Sequence, residues 1–118
     1  MGVDYSAVSG YGFVLDEGEA VDAAKRDGWV AKYDGNDPYE AVEYLTSTYG
    51  VNYATAGNAY SGDTVFLVGD THSINYYGLQ EVNELEPIGD VLKPVLVNML
   101  KELGLTKKIG FYSGLYVW

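Results

Sequence analysis

The chain has 118 residues, 47% of them hydrophobic, with no cysteine and a formal charge of −10 at pH 7. That length suits one domain with a real core rather than two, and the lack of cysteine excludes disulfides, thiol catalysis and thiolate metal sites. With 17 acidic against 7 basic side chains, the chain repels phosphates and anionic lipid, so neither a nucleic acid nor a membrane is expected as a direct partner.

The charge is uneven: residues 1–48 carry ten acids and three bases, net −7, whereas residues 93–118 carry four lysines and Glu102, net +3. No apolar run approaches a membrane span, and the opening residues lack the basic and apolar regions of a signal peptide, so a cytoplasmic location is expected. The 12 tyrosines and 15 glycines are both well above ordinary usage.

In chain order, residues 2–15 alternate Val3, Tyr5 and Ala7 with Gly2, Asp4 and Ser6, as a half-buried strand does. Gly10 and Gly12 then suggest a bulge or bend before Phe13, so one kinked strand or two short ones would fit. Residues 16–27 form a short acidic helix with Ala20, Val21 and Ala24 on its apolar stripe and Gly28 behind it. Residues 29–33 read as a strand, and Asp34-Gly35-Asn36 as a turn. Asp37-Pro38-Tyr39-Glu40 is the clearest helix start, with Asp37 as N-cap and Pro38 at the first position. This helix should end at Gly50, burying Ala41, Val42, Leu45 and Tyr49 and leaving Glu40, Glu43 and Thr46 wet.

Residues 51–61 suit an edge strand or an ordered loop. Residues 63–68 form the most continuous β-branched and aromatic run, a central strand. Residues 69–75 are either a turn or its continuation, with a further short strand at 74–77. Residues 78–90 are a helical turn or a long loop. In residues 93–104 the stripe Leu92, Val95, Leu96, Met99, Leu100 and Leu103 predicts an amphipathic helix with Pro94 near its start and Gly104 just past its end. The aromatic residues 107–118 read as strand. The expectation is a single α+β domain over residues 1–118, a mainly antiparallel twisted sheet packed against two or three helices.

Chemical motifs are sparse. Asp70, His72 and Ser73 invite a triad, but neighbours on an extended segment point to opposite faces and do not converge. The acids around Asp34 and Asp37 lack calcium-loop spacing. Glu81, Glu84, Glu86 and Asp90 are better explained as solvated acids than as a magnesium site, and Gly10-Tyr11-Gly12 is too short for a dinucleotide fingerprint. Neither a metal nor a cofactor is expected. What remains is tyrosine among Ser, Gly, Asn and Thr, a mixture that binding surfaces favour. Tyr53, Tyr60, Tyr76 and Tyr77 are the candidate contact rings, and Asp16, Glu17, Glu19, Asp22 and Asp27 the candidate contact acids.

Residues 1–12, Met-Gly-Val-Asp-Tyr-Ser-Ala-Val-Ser-Gly-Tyr-Gly, followed by a small acidic chain, resemble the openings of uncharacterised accessory proteins of tailed bacteriophages. The resemblance implies a phage product in the host cytoplasm that inhibits a host factor such as a defence nuclease, and it transfers no catalytic residue. The leading expectation is a non-enzymatic binding module whose carboxylates occupy a basic groove on a host protein. A small hydrolase or ligand-binding enzyme using His72 with a carboxylate is the second reading, and a structural or assembly subunit forming a homo-oligomer the third.

Overall fold

Strand β1 (Tyr5–Asp16) organises the fold, because both of its edges are paired. The computed structural model describes residues 5–32, 35–59, 61–75 and 88–117. After β1 come α1 (Glu17–Arg26), α2 (Pro38–Tyr49), β2 (Asn52–Asn58), β3 (Asp63–Asn75), α3 (Ile88–Leu103) and β4 (Gly110–Val117). One edge of β1 pairs antiparallel with β3 from Ser6↔Asn75 to Asp16↔Val65, and the other with β4 from Tyr5↔Val117 to Gly12↔Gly110. Strand β2 pairs antiparallel with β3. It also touches β4 in parallel at Gly57↔Tyr116 and Asn58↔Val117, closing the order β1-β3-β2-β4 into a barrel. Among the described residues the result is an α+β fold with a mainly antiparallel four-stranded sheet and three helices.

Two apolar layers follow from the two-residue period of the strands. Tyr11, Phe13 and Leu15 of β1 and Phe66 and Val68 of β3 pack against the helices. Val8, Ala54 and Leu67 form a second cluster, joined by Val14, Tyr112 and Tyr116. Closing so few strands requires tight coiling, and glycine permits it where two backbones nearly touch. Gly12 lies opposite Gly69, and a Cβ on either would strike the facing strand's carbonyl oxygen, Val68 or Tyr11 respectively.

Helix α1 starts in a capping box: Asp16 Oδ1 accepts from the Glu19 N–H at 2.7 Å, and the Asp16 N–H donates to Glu19 Oε1 at 3.1 Å. In α2, Asp37 Oδ1 accepts from the Tyr39 N–H at 3.0 Å, Pro38 stands at the start, and Gly50 closes the far end with φ 71°. Helix α3 buries Leu96, Met99, Leu100 and Leu103 in the main core, and Gly104 ends it in the left-handed region as expected.

Several expectations are corrected. Helix α3 begins at Ile88, so Pro94 sits in its interior, where the missing N–H leaves the Asp90 carbonyl without its helical donor. Residues 29–32 form no strand: Trp29 is buried in the main core, with its N–H donating to the Ala24 carbonyl at 2.9 Å, and the Lys32 N–H donates to Glu40 Oε1 rather than to a neighbouring strand. Thr46 is buried rather than wet, because its hydroxyl donates back to the Val42 carbonyl at 2.9 Å and so needs no water. Of the two readings of residues 69–75 the structure has the continuation of β3; the separate short strand expected at 74–77 is instead part of β3 as far as Asn75. Tyr33, Asp34, Tyr60, Tyr76, Tyr77 and residues 78–87 lie outside the described residues, as does the side chain of His72. Among the described residues no helix is long and apolar enough to cross a membrane.

Candidate functional site

The acids of α1 divide into two groups. Asp16, Glu17 and Glu19 come together at its N-terminus, where negative side chains complement the helix dipole. Asp16 is the N-cap, Glu17 Oε1 accepts from the Thr64 hydroxyl at 2.5 Å, and Glu19 pairs with Lys107 in the segment before β4. The hydrogen bond from Lys107 is the main reason the Glu19 carboxyl is held below its ordinary range, outweighing the opposing effect of burial. Asp16 and Glu17 also border an open depression of about 380 Å³ whose far side is Asp63 and Thr64.

Asp27 lies at the other end of α1, among tyrosines. Its carboxylate Oδ1 lies 3.3 Å from the Tyr49 hydroxyl, and its backbone carbonyl accepts from the Tyr44 hydroxyl at 2.9 Å. Asp22 is exposed between the two groups. The side chains of Asp16, Glu17, Glu19 and Asp27 thus have partners within the chain, and these contacts fix α1 against β3, α2 and the segment before β4.

Of the candidate rings, Tyr53 is half-buried on β2 and meets Phe66 edge-on at 5.9 Å. Burial, then the nearby Glu43 carboxylate, raises its hydroxyl pKa. Tyr60, Tyr76 and Tyr77 fall outside the described residues. The same applies to the side chain of His72, whose backbone is a regular member of β3 opposite Ser9. Among the described residues no group of three or more His, Cys, Asp or Glu side chains is placed to hold a metal.

A second surface emerges only in three dimensions. Residues 29–32 run beside α2 and leave a shallow, open groove of about 650 Å³, with Trp29, Val30 and Lys32 on one side and Asp37, Tyr39, Glu40, Glu43, Tyr44 and Ser47 on the other. Tyr39, Glu43 and Ser47 recur every fourth residue, which places them on one helix face. That spacing was visible in the sequence; the segment facing it was not, because it read as a strand.

The groove is firmly built. The Tyr39 ring stands edge-on to Phe66 at 5.4 Å, and its hydroxyl is pushed up to about 12 by burial first and then by hydrogen bonding to Tyr116. The bond from the Lys32 N–H to Glu40 Oε1, at 3.0 Å, fixes the opposite wall. Val30 is 86% exposed at the rim. Three carboxylates against one lysine make the groove acidic, and the aromatic faces beside them can receive the stem and head of a basic side chain. Comparison with protein-family models, curated proteins and solved structures gives no match to this chain.

Proposed function

We propose that this chain is a non-enzymatic, acidic, tyrosine-rich protein-binding module that holds a basic segment of a partner protein. The observation that carries the reading is the groove beside α2, where Asp37, Glu40 and Glu43 stand beside the Tyr39 and Tyr44 rings. Carboxylates next to aromatic faces favour lysine and arginine by charge and by cation–π attraction. The chain's overall charge of −10 speeds encounter with a basic surface. Given the resemblance of residues 1–12 to phage accessory proteins, the proposed partner is a host protein whose own ligand is nucleic acid, with carboxylates standing where phosphates would bind.

Calorimetric titration with a lysine- and arginine-rich peptide, and with a glutamate-rich peptide of equal length, tests the reading. The basic peptide should bind, should shift the Trp29 indole resonance, and should weaken roughly tenfold on raising salt or on Glu43→Lys. Equal binding of both peptides, or no binding of either, would overturn it.

A further inference from the structure

The sheet face that carries Val8, Ala54 and Leu67 is the barrel interior, and by the two-residue period it also carries Gly10, Gly12, Gly69 and Gly114. Three of these glycines have a reason in the backbone: at Gly10, Gly12 and Gly69 a Cβ would strike a carbonyl oxygen of the facing strand. Gly114 has no such reason. Its φ lies outside the left-handed region, and a Cβ there would meet nothing within 4 Å. A glycine inside a strand weakens it, and it often marks a place where a ligand comes close.

Beside Gly114 lies a cavity of about 120 Å³. Val8 and Val14 of β1, Val65 and Leu67 of β3 and Ala56 of β2 supply its apolar walls, together with Tyr112 of β4. Val8 and Leu67 are buried whereas Val14, Ala56, Val65 and Tyr112 are half-buried, so the cavity runs inward from the surface. Among the described residues β2 and β4 pair only at Gly57↔Tyr116 and Asn58↔Val117. Ala56 and Gly114 precede these positions on their strands, which puts the cavity where the pairing stops.

Protein interiors leave few voids larger than a water molecule, and this one has the volume of several waters at about 30 Å³ each. Ordered water there would need about two to four polar partners per molecule, which aliphatic walls do not offer. The Tyr112 hydroxyl is already engaged, donating to the Lys108 carbonyl at 2.7 Å. Among the described residues no buried side-chain polar atom lacks a partner. A charged or strongly polar ligand would therefore lose its hydration and gain nothing in return. An apolar one fits: an engineered cavity of about 150 Å³ with similar walls stays dry and takes benzene.

We propose that the barrel interior binds one small, uncharged apolar molecule, of the size of a single aromatic ring or a short branched hydrocarbon, which enters beside Gly114. This site belongs to the layer of Val8, Ala54 and Leu67 rather than to the helix-covered core. It is separate from the groove beside α2 and does not depend on what that groove binds.

Titration of the full chain with benzene, followed through methyl resonances, tests the site. Benzene should bind saturably, with a dissociation constant in the millimolar range or below. It should shift the methyls of Val8, Val65 and Leu67 far more than those of Leu96 and Leu100 in the main core. Benzoate, the same ring with a charge, should bind at least roughly tenfold more weakly. Ala56→Leu puts a branched side chain into the cavity and should abolish the benzene shifts while circular dichroism stays unchanged. No shift in water saturated with benzene would overturn the proposal. So would shifts that never saturate, spread evenly over both clusters, appear equally with benzoate or persist in a folded Ala56→Leu protein. If Ala56→Leu does not fold, Gly114→Val takes its place, since its Cβ is unobstructed. That variant should weaken benzene severalfold by narrowing the entrance, and unchanged affinity would count against the site in the same way.

Discussion

The Tyr49 hydroxyl at the end of α2 donates to Glu102 Oε2 on α3 at 3.0 Å and lies 3.3 Å from Asp27 Oδ1 at the end of α1. One phenol therefore ties the ends of α1, α2 and α3 together. A hydrogen bond to a charged acceptor contributes about 1.5–3 kcal/mol when well sheltered, and partial exposure here reduces that. Tyr49→Phe should cost about 1 kcal/mol in urea denaturation. Glu102→Gln should cost less, because its amide oxygen still accepts the bond. A loss from Glu102→Gln equal to that from Tyr49→Phe would show that charge, not the hydrogen bond, carries the contact.

The same arrangement sets the response to alkali. Burial and neighbouring acids raise the pKa of Tyr49 and Tyr53, and burial with hydrogen bonding to Tyr116 raises that of Tyr39 to about 12, against an ordinary value of 10.0. A raised tyrosine pKa favours the protonated phenol in the folded state. The resulting stability is fully present below pH 10 and is lost as pH rises from there through about 12. Glu19 has the opposite sign: its lowered pKa contributes stability above its ordinary 4.5 that is lost as pH falls. Urea midpoints should therefore stay level between these limits and fall on both sides. Tyr39→Phe should flatten the alkaline fall, and Lys107→Met the acid one.

Barrel closure depends on backbones that approach too closely for side chains. Gly12→Ala would drive a methyl group into the Val68 carbonyl on β3, backbone that cannot rotate away as a side chain would. Overpacking of this kind costs typically 1–3 kcal/mol and sometimes more. By contrast, Gly110→Ala meets nothing within 4 Å and should stay within about 0.5 kcal/mol of the parent. Thermal denaturation of the two variants provides the comparison. Similar melting temperatures would mean that β1 and β3 part more readily than their close approach implies.

Local chemistry was legible where it decided the structure by itself. Asp37-Pro38 and Gly50 bracket α2, and the leucine stripe of α3 points into the core, because caps and helical periodicity act within a few residues. The polarity of Thr46 suggests water, whereas a threonine in a helix can satisfy its hydroxyl on the carbonyl four residues back, as this one does. The apolar surroundings of Trp29 suit a strand, yet on the path from α1 to α2 it fills part of the main core, its backbone N–H donating to the Ala24 carbonyl. The groove was hidden for the same reason, since one of its walls is that linking segment. Closure of the barrel was not legible at all: a two-residue parallel contact between β2 and β4 leaves no local mark on the sequence.

Phe66 joins the barrel to the groove. It is fully buried on β3 and meets Tyr39 edge-on at 5.4 Å and Tyr53 edge-on at 5.9 Å. Removing the ring leaves a cavity and strips both tyrosines of an aromatic neighbour, so Phe66→Ala should cost about 3–5 kcal/mol, a large share of a small domain's stability of about 5–15 kcal/mol. Phe66→Leu keeps much of the volume without the ring and should cost far less. The informative readout is therefore the leucine variant. Its fold should persist while the Tyr39 and Tyr53 ring resonances shift and affinity for a basic peptide falls, because one wall of the groove has lost its support. Unchanged tyrosine resonances and unchanged affinity in a folded Phe66→Leu protein would show that the groove does not depend on the ring beneath it.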